Sequence, residues 1–375
     1  MTARSSSMTP RERLLAVMRG ETPDSVPVIA DLSWWHAAHG GGRFAPTVAG
    51  NDRRLLDMMP LHRQTGAAIH LNTGSFFESV FRDGVRAQSH IDGDRYTQRI
   101  ETPVGVLEEI RTWFQAAWSW GIEQHMIRSE EDLKILRWAY EGVQYKPRWD
   151  VFEQATTIIG DLGVAFASVP YTGMGFLMAR YAGVEQTVMF ASDIPVELEE
   201  TVAVLNAAHE RAFRLMAEGP SEVLFVSDNL SSDVQSPRWF KRYSADHYRK
   251  MAAIAHDNRK VVSVHIDGRL RGLLHAVAEC GIDGADAVTP APWGDLTPAE
   301  CRAEAGPRLI LSGGVPPDSF DPAVPLATFD GQVEAWLALR DQSPGLILAP
   351  GDQLPPAGDL NRVTRLVEIA SSAVV

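Results

Sequence analysis

The stretch Val261-Val-Ser-Val-His-Ile-Asp-Gly268 decides the fold, because it is an apolar run that ends in a histidine, an aspartate and a glycine. Runs rich in β-branched residues and flanked by helical patterns are typical of parallel strands that are buried on both faces. Such a strand delivers the polar residues at its carboxyl end to an active site. His265 and Asp267 are therefore the first candidate functional residues.

Runs of the same kind recur along the 375-residue chain. They cover residues 26–32, 67–72, 164–169, 223–228, 261–267, 285–289, 309–313 and 346–351. Helical periodicity lies between most of them, at residues 194–218, 245–258, 271–280 and 298–305. Eight strands that alternate with helices predict an α/β fold, the (β/α)8 TIM barrel. An open doubly wound sheet is the alternative, but such sheets seldom reach eight parallel strands.

The longest interval, residues 73–163, is predicted to be an insertion between the second and third strands. Within it, residues 96–120 are acidic and aromatic, and Gly93 and Gly105 interrupt alternating runs, which favours a β-hairpin or a small antiparallel sheet. A helix over residues 129–140 should follow, with Ser129 as its N-cap. We expect the insertion to form a flap over the barrel mouth of a single domain, residues 1–375, whose polar residues 1–7 are disordered.

Composition indicates a cytoplasmic enzyme. The chain is 45% hydrophobic and 22% charged, which suits a large core, and its net charge is −13 without a basic run. This charge argues against a nucleic-acid or anionic-membrane partner. No apolar stretch has the length of a bilayer span. The two cysteines, Cys280 and Cys301, lie in helical patterns and are predicted to be small buried side chains rather than a disulfide. The sequence leaves the oligomeric state open, with a homodimer among the alternatives.

Polar residues follow the predicted strands at their carboxyl ends. They are Asp31, Asn72, Tyr171, Asp228, Asn229, His265, Asp267, Thr289 and Asp352. In a barrel these ends converge on one mouth, where catalytic residues lie. Polar residues also follow strands in any α/β protein because loops are polar, so the placement alone does not assign a function.

Tryptophans are unusually frequent in the same regions. They are Trp34, Trp35, Trp113, Trp118, Trp120 and Trp293. An aromatic-lined mouth would bind a planar ring or a methylated ammonium group. The three tryptophans in the insertion have near-alternating spacing, which fits packing within a hairpin equally well.

Several motifs carry a resemblance to a known family. Met8-Thr-Pro-Arg-Glu-Arg-Leu-Leu-Ala-Val-Met-Arg-Gly20, followed by Pro23-Asp-Ser-Val-Pro-Val28, resembles the N-terminus of the uroporphyrinogen decarboxylase superfamily. Residues 102–105, 129–133, 261–268 and 346–354 followed by Asn361 fit the same superfamily. The resemblance spans essentially the whole chain and also implies a (β/α)8 barrel. The superfamily contains the porphyrin decarboxylases and zinc-dependent methyltransferases that work with corrinoid proteins, coenzyme M or other methyl acceptors.

Departures from the superfamily motifs distinguish these branches. Porphyrin decarboxylases place an arginine-rich segment after the first strand to bind substrate carboxylates. This chain has Asp31-Leu-Ser-Trp-Trp-His36 there, without an arginine, which argues against a tetrapyrrole substrate. The pocket is instead predicted to be apolar and aromatic. The candidate substrate-binding residues are Trp34, Trp35, His36, Asn72, Tyr171, Asn229 and Trp293.

The methyltransferase branch resembles this chain more closely. Its members hold zinc with a His-x-Cys motif after the fifth strand and a second cysteine after the eighth. This sequence has His265-Ile-Asp267 and Pro350-Gly-Asp352, so aspartates replace both cysteines. The resemblance therefore implies a divalent metal held by His265, Asp267 and Asp352, with zinc first and manganese or iron as alternatives. The competing interpretation is a metal-free site in which Asp267 and Asp352 are ordinary polar residues at strand ends and His265 is hydrogen-bonded to one of these two aspartates.

The resemblance implies a metal-dependent methyltransferase or demethylase. Its substrate would be a small methoxylated aromatic or methylamine-type compound, and a separate corrinoid protein or tetrahydrofolate would carry the methyl group. The candidate catalytic residues are Asp228, His265 and Asp267, although Asp228 fits a helix-capping or loop role as well as catalysis. One alternative is a metal-assisted decarboxylase or other lyase that acts on a small aromatic or apolar acid. Another is a non-catalytic barrel that binds a small molecule.

Overall fold

The structure is a computed structural model that describes residues 8–43, 52–69 and 75–372. Its strands are β1 (Ile29–Ala30), β2 (Ala68–Ile69), β3 (Phe77–Val80), β4 (Arg86–Asp92), β5 (Arg95–Thr102), β6 (Gly105–Phe114), β7 (Ser119–Gln124), β8 (Gln144–Pro147), β9 (Ala167–Val169), β10 (Val223–Leu230), β11 (Val261–Ile266), β12 (Gly284–Val288), β13 (Ile310–Val315) and β14 (Leu346–Pro350).

Helices connect and cover these strands. They are α1 (Pro10–Met18), α2 (Ser33–His36), α3 (Asp52–Thr65), α4 (Glu130–Glu141), α5 (Trp149–Ile159), α6 (Gly173–Phe176), α7 (Gly183–Asp193), α8 (Pro195–Ala217), α9 (Pro237–Tyr243), α10 (Ala245–Asp257), α11 (Leu273–Glu279), α12 (Pro298–Ala305), α13 (Leu326–Leu337) and α14 (Leu360–Ser372). A π-helical turn, Leu177–Tyr181, continues α6. None of the helices in the described ranges has the length and apolarity to cross a bilayer.

Eight parallel strands form the barrel. One hydrogen-bonded group runs in the order β14-β13-β12-β11-β10-β9, and β1 pairs with β2. A parallel bridge between Val28 and Leu348 joins the two groups. On the other side, Gly163 lies against β2, because a Cβ at this position would be 2.6 Å from Ile69 Cγ2. The predicted (β/α)8 barrel is confirmed.

Each predicted apolar run contains one barrel strand, but the strand ends differ. β1, β2 and β9 are shorter than their runs, and β10 extends beyond its run to Leu230 because a register shift after Val226 adds residues to it. Asn72 and residues 1–7 lie outside the described residues, so their predicted roles remain predictions.

Alternation along the strands separates two apolar layers. Val262, Val264 and Ile266 of β11 belong to the large cluster between strands and outer helices. Inward-facing side chains such as Phe166 and Phe225 pack in the barrel with residues of α1, which covers the amino-terminal end. The opposite end, where β11 presents His265, is left for polar residues. Cys280 and Cys301 are buried, as predicted.

The insertion is larger than a hairpin. β4, β5, β6 and β7 form an antiparallel sheet, and β3 pairs with β8. Helix α4 begins as expected, because the Ser129 hydroxyl accepts a hydrogen bond from the Asp132 backbone N–H at 3.2 Å. Ile100 and Leu107 of the sheet belong to one buried cluster with Leu177, which lies in the turn after α6. The sheet therefore packs on the segment that follows β9.

Candidate active site

A hydrogen-bonded relay crosses three neighbouring strands inside the barrel. His265 of β11 and Asp286 of β12 are register partners, so their side chains lie on the same face. Their Nδ1 and Oδ2 atoms are 3.1 Å apart. Ser312 of β13 donates its hydroxyl to Asp286 Oδ1 at 3.0 Å. Asp286 is 2% exposed, whereas His265 is half-buried, so the imidazole is the member that faces the mouth.

The relay fixes the chemistry of the histidine ring. When Nδ1–H donates to the buried Asp286 carboxylate, the neutral tautomer carries its lone pair on Nε2. The carboxylate also stabilises the imidazolium that forms when Nε2 takes up a proton. His265 can therefore exchange a proton with a bound molecule or act as a metal ligand with an oriented ring. The alternative predicted from sequence paired His265 with Asp267 or Asp352, whereas the aspartate on His265 Nδ1 in the structure is Asp286.

Backbone irregularities accompany the relay. The register between β12 and β13 shifts between Ala285 and Val288, and Ala287 has a φ of 63°. Asn229, in the shifted part of β10, has a φ of 48°. Left-handed conformations are unfavourable for alanine and better tolerated by asparagine. Bulges of this kind redirect side chains near active sites, and here one lies directly beside Asp286.

An acidic group surrounds His265 at the mouth. Asp352 is solvent accessible but recessed, and the surrounding protein raises the pKa of its carboxyl group by desolvation. The positive charge of His265 opposes this rise in pKa, while the charges of Asp267 and Asp31 add to it. His265, Asp267 and Asp31 therefore lie close enough to influence the Asp352 carboxyl group. The loop that carries Asp352 approaches β12 closely, since a Cβ at Gly351 would be 2.0 Å from Thr289 Oγ1.

The predicted metal ligands do not form a coordination site in this conformation. Across residues 8–43, 52–69 and 75–372, no group of three or more histidine, cysteine, aspartate or glutamate side chains could hold a metal ion. Asp31, an acidic residue outside the predicted ligand set, accepts a hydrogen bond from the Ser33 backbone N–H at 2.8 Å. The ligand set His265, Asp267 and Asp352 therefore stays a prediction.

Asp228 is a buried hub in the fold. Its Oδ1 accepts a hydrogen bond from the Thr172 backbone N–H at 2.7 Å, and its Oδ2 accepts from the Thr172 hydroxyl at 2.6 Å and the Tyr248 hydroxyl at 2.7 Å. Burial raises the pKa of Asp228 to about 6, against the opposing effect of these hydrogen bonds. Asp228 thus ties the segment after β9 to α10, which is a positioning role.

The predicted aromatic wall divides into different environments. Trp35 donates its indole N–H to the Gly358 carbonyl at 2.9 Å and stacks on His39 at 3.9 Å, so it packs within the fold. Trp34 is half-buried, and its side chain makes no hydrogen bond or ring contact with another described residue. Trp293 is 60% exposed. Of these three tryptophans, only Trp35 has its side chain engaged by other described residues, and the substrate-binding role of Trp34 and Trp293 stays a prediction.

His36 and the insertion tryptophans complete the aromatic candidates. His36 is half-buried at the end of α2. The ring of Trp113 lies 5.8 Å from Trp118 and 5.5 Å from Trp120, and the Arg43 guanidinium lies 4.9 Å from its centroid. These three indoles pack on one another, so the packing interpretation of their spacing is the one that the structure favours.

Two pockets border the strand ends. One, of about 410 Å³, is lined by Asp228, Asn229 and Asp267 together with residues of α6. The other, of about 250 Å³, is lined by Tyr171 and by Arg180 of the π-helical turn. Of the predicted site residues, Asp228, Asn229 and Asp267 line the first pocket and Tyr171 lines the second. His265, Asp352 and the predicted tryptophans line neither pocket.

Comparison with known proteins identifies the family. The sequence pattern of the family described as uroporphyrinogen decarboxylase (URO-D) matches residues 126–373. The match covers more than half of the chain, which therefore belongs to this family. The resemblance that the sequence motifs carried is confirmed.

The similar proteins are methyltransferases. Two, from Methanosarcina barkeri strain Fusaro and from Methanosarcina barkeri, are both described as methylcobamide:CoM methyltransferase MtaA. Each is 26% identical over 191 residues, which are 49% of this chain and 49% of the relative. The chain therefore matches about half the length of these curated relatives. A solved methyltransferase from Methanosarcina mazei shares the fold, with a TM-score of 0.62, 19% identity and coverage of 98% of this chain and 99% of that chain.

Sequence reasoning missed two groups of residues. Asp286 and Ser312 lie inside apolar runs rather than after them, and a carboxylate within a buried strand was the available signal. Arg180 and His209 lie in helical segments, where the pattern does not indicate which face meets a pocket.

Proposed function

We propose that this protein is a methyltransferase that moves a methyl group between a small methylated substrate and a separate carrier. A corrinoid protein is the first candidate for that carrier, since two relatives are described as methylcobamide:CoM methyltransferases, and tetrahydrofolate is the alternative. The observation that carries the proposal is the buried Asp286 carboxylate on His265 inside the barrel mouth. It supplies an oriented acid–base group two residues along the chain from Asp267, which lines the pocket of about 410 Å³.

The proposed chemistry uses the relay to move a proton. When a methyl group leaves a substrate oxygen, that oxygen keeps the electron pair of the broken bond and must be protonated. Protonated His265 donates this proton from Nε2, and Asp286 stabilises the imidazolium before transfer. A reduced corrinoid supplies the electron pair for the new bond to the methyl group. In the reverse direction, His265 accepts the proton as the substrate oxygen is methylated.

The acidic residues around the relay have a separate proposed role. Asp267 and Asp352 give the mouth a negative charge, which favours a cationic group near His265. A divalent metal, with zinc first, stays part of the proposal only as the prediction drawn from the sequence resemblance. A methylammonium group is the other cation that this environment would favour.

The experiment combines the purified protein with reduced cobalamin and a panel of methyl-labelled methoxybenzoates and methylamines. Transfer should appear as the absorbance of methylcobalamin and as label in the cobalamin fraction. His265→Ala should lower the rate by about 100- to 10,000-fold, the contribution typical of an acid–base group. His275→Ala is the matched control, because this exposed histidine lies on the outer helix α11.

Three outcomes contradict the proposal. Absence of label transfer across the whole panel would argue against methyl transfer to corrinoids. Release of substrate carbon as carbon dioxide without any acceptor would favour the decarboxylase alternative. Equal rates in His265→Ala and His275→Ala would show that the relay takes no part in the reaction.

A further inference from the structure

The pocket of about 250 Å³ is distinguished by its aromatic wall. Six of its lining residues define it: Tyr140, Tyr145, Tyr171, Phe176, Arg180 and His209. The Tyr140 and Phe176 rings meet edge to face, with centroids 5.9 Å apart, and Phe176 meets His209 in the same way at 4.9 Å. Ser168 of β9 and Ser227 of β10 also line it, so the pocket borders the strand ends of the candidate active site.

Arg180 is the positive charge of this pocket. It is half-buried, and its guanidinium makes no hydrogen bond or ion pair with any residue in the described ranges. Desolvation raises the pKa values of the Tyr140 and Tyr171 hydroxyls, and the positive charge of Arg180 opposes this rise, so Arg180 lies near both rings. Charged side chains that are withdrawn from water are normally paired. Arg180 therefore has its forked set of donors available to a bound anion.

Among the described residues that line the pocket, no other charged group competes for that anion or neutralises Arg180. The described lining contains no aspartate or glutamate. His209 is neutral, because burial lowers its pKa to about 3, and its Nδ1–H donates to the Tyr171 carbonyl at 2.8 Å. The nearby Asp228 carboxylate is satisfied by Thr172 and Tyr248. Desolvation raises the pKa of the Tyr171 hydroxyl, which stays a neutral donor.

We propose that this pocket binds the carboxylate of a single-ring aromatic acid. The carboxylate pairs with Arg180, and the ring lies against Phe176 and Tyr140. The small volume suits one ring rather than a larger ligand. This inference rests on the proposed function, because it assigns the methylated substrate to the class of methoxylated aromatic acids. The sequence resemblance left that class open beside the methylamines.

The test measures binding without any methyl carrier. Isothermal titration calorimetry of the whole protein compares 4-methoxybenzoate with 4-methoxybenzamide, which differs in lacking the charge. The wild type should bind the benzoate about 10- to 100-fold more tightly, as expected for charge-assisted hydrogen bonds. Arg180→Met should lose this preference, and Arg180→Lys, which keeps the charge without the fork, should retain part of it.

The control is Arg238→Met, which removes an exposed arginine from α9 outside this pocket and should leave both affinities unchanged. Circular dichroism melts establish that each variant is folded. If Arg180→Met does not fold, Arg180→Lys alone tests the role of the guanidinium. Equal affinity of the wild type for both probes, no binding of either, or an unchanged preference in the Arg180 variants would overturn the site. Arg180-dependent binding without methyl transfer would refute the proposed function alone, whereas transfer without the benzoate preference would refute this inference alone.

Discussion

Substitution of Asp228 tests whether a buried carboxylate couples the segment after β9 to folding. Burial raises its pKa from 3.8 to about 6. Because the folded-state pKa is raised, the folded state favours the protonated acid, and ionisation destabilises the fold. The contribution of Asp228 to stability is therefore full below about pH 3.8 and is lost as the pH rises through 6.

The magnitude follows from the two pKa values. A rise from 3.8 to about 6 corresponds to about 3 kcal/mol of stability that the wild type loses between acidic and neutral pH through this group. The asparagine of Asp228→Asn does not titrate, so this variant should not lose that stability as the pH rises. The stability of Asp228→Asn relative to the wild type should improve by about 2–3 kcal/mol between pH 4 and pH 7.5.

Urea denaturation followed by circular dichroism at the two pH values measures this difference. Asp257→Asn, at the exposed end of α10, is the matched control and should show no such change. Asp228→Ala should instead be less stable at both pH values by several kcal/mol, because buried donors of Thr172 and Tyr248 lose their acceptor. A pH-independent difference between wild type and Asp228→Asn would refute the coupling.

Three further expectations concern the mouth. Asp286→Asn should lower turnover by about 100-fold or more with an unchanged melting temperature, since it misorients His265, and normal turnover would contradict the relay. Trp34→Ala should weaken substrate binding by about 1–3 kcal/mol with little effect on melting, whereas Trp35→Ala should mainly lower the melting temperature; calorimetry and thermal melts of both variants would contradict this if the effects were reversed. The sequence resemblance predicts one divalent ion per chain that His265→Ala and Asp352→Ala each lose, and equal metal content by elemental analysis in wild type and variants would refute the ligand set.

The sequence was sufficient for the barrel because apolar strand runs have a strong local signature. The stretch at 261–268 became β11, and the N-cap at Ser129 was predicted from capping chemistry alone. Strand ends were less predictable, since hydrogen bonding between chain segments rather than residue type determines where a strand such as β10 stops.

The site was only partly predictable for a physical reason. His265 follows from its place at a strand end, but its partner Asp286 depends on the register between β11 and β12, which no single strand encodes. The role of Asp228 depends on Thr172 and Tyr248, residues far from it in sequence. The convergence of His265 and Asp352 at one mouth is likewise a property of barrel closure.

The location of the relay on strands has an evolutionary consequence. His265, Asp286 and Ser312 are held by the hydrogen-bonded ladder of β11, β12 and β13, whereas Arg180 and Trp293 belong to connections that can change length and composition without disturbing that ladder. Mutations in these connections can alter which compound is admitted while the proton-handling groups stay in place. Related barrels could thus come to accept different compounds while they keep the hydrogen-bonded arrangement of His265, Asp286 and Ser312.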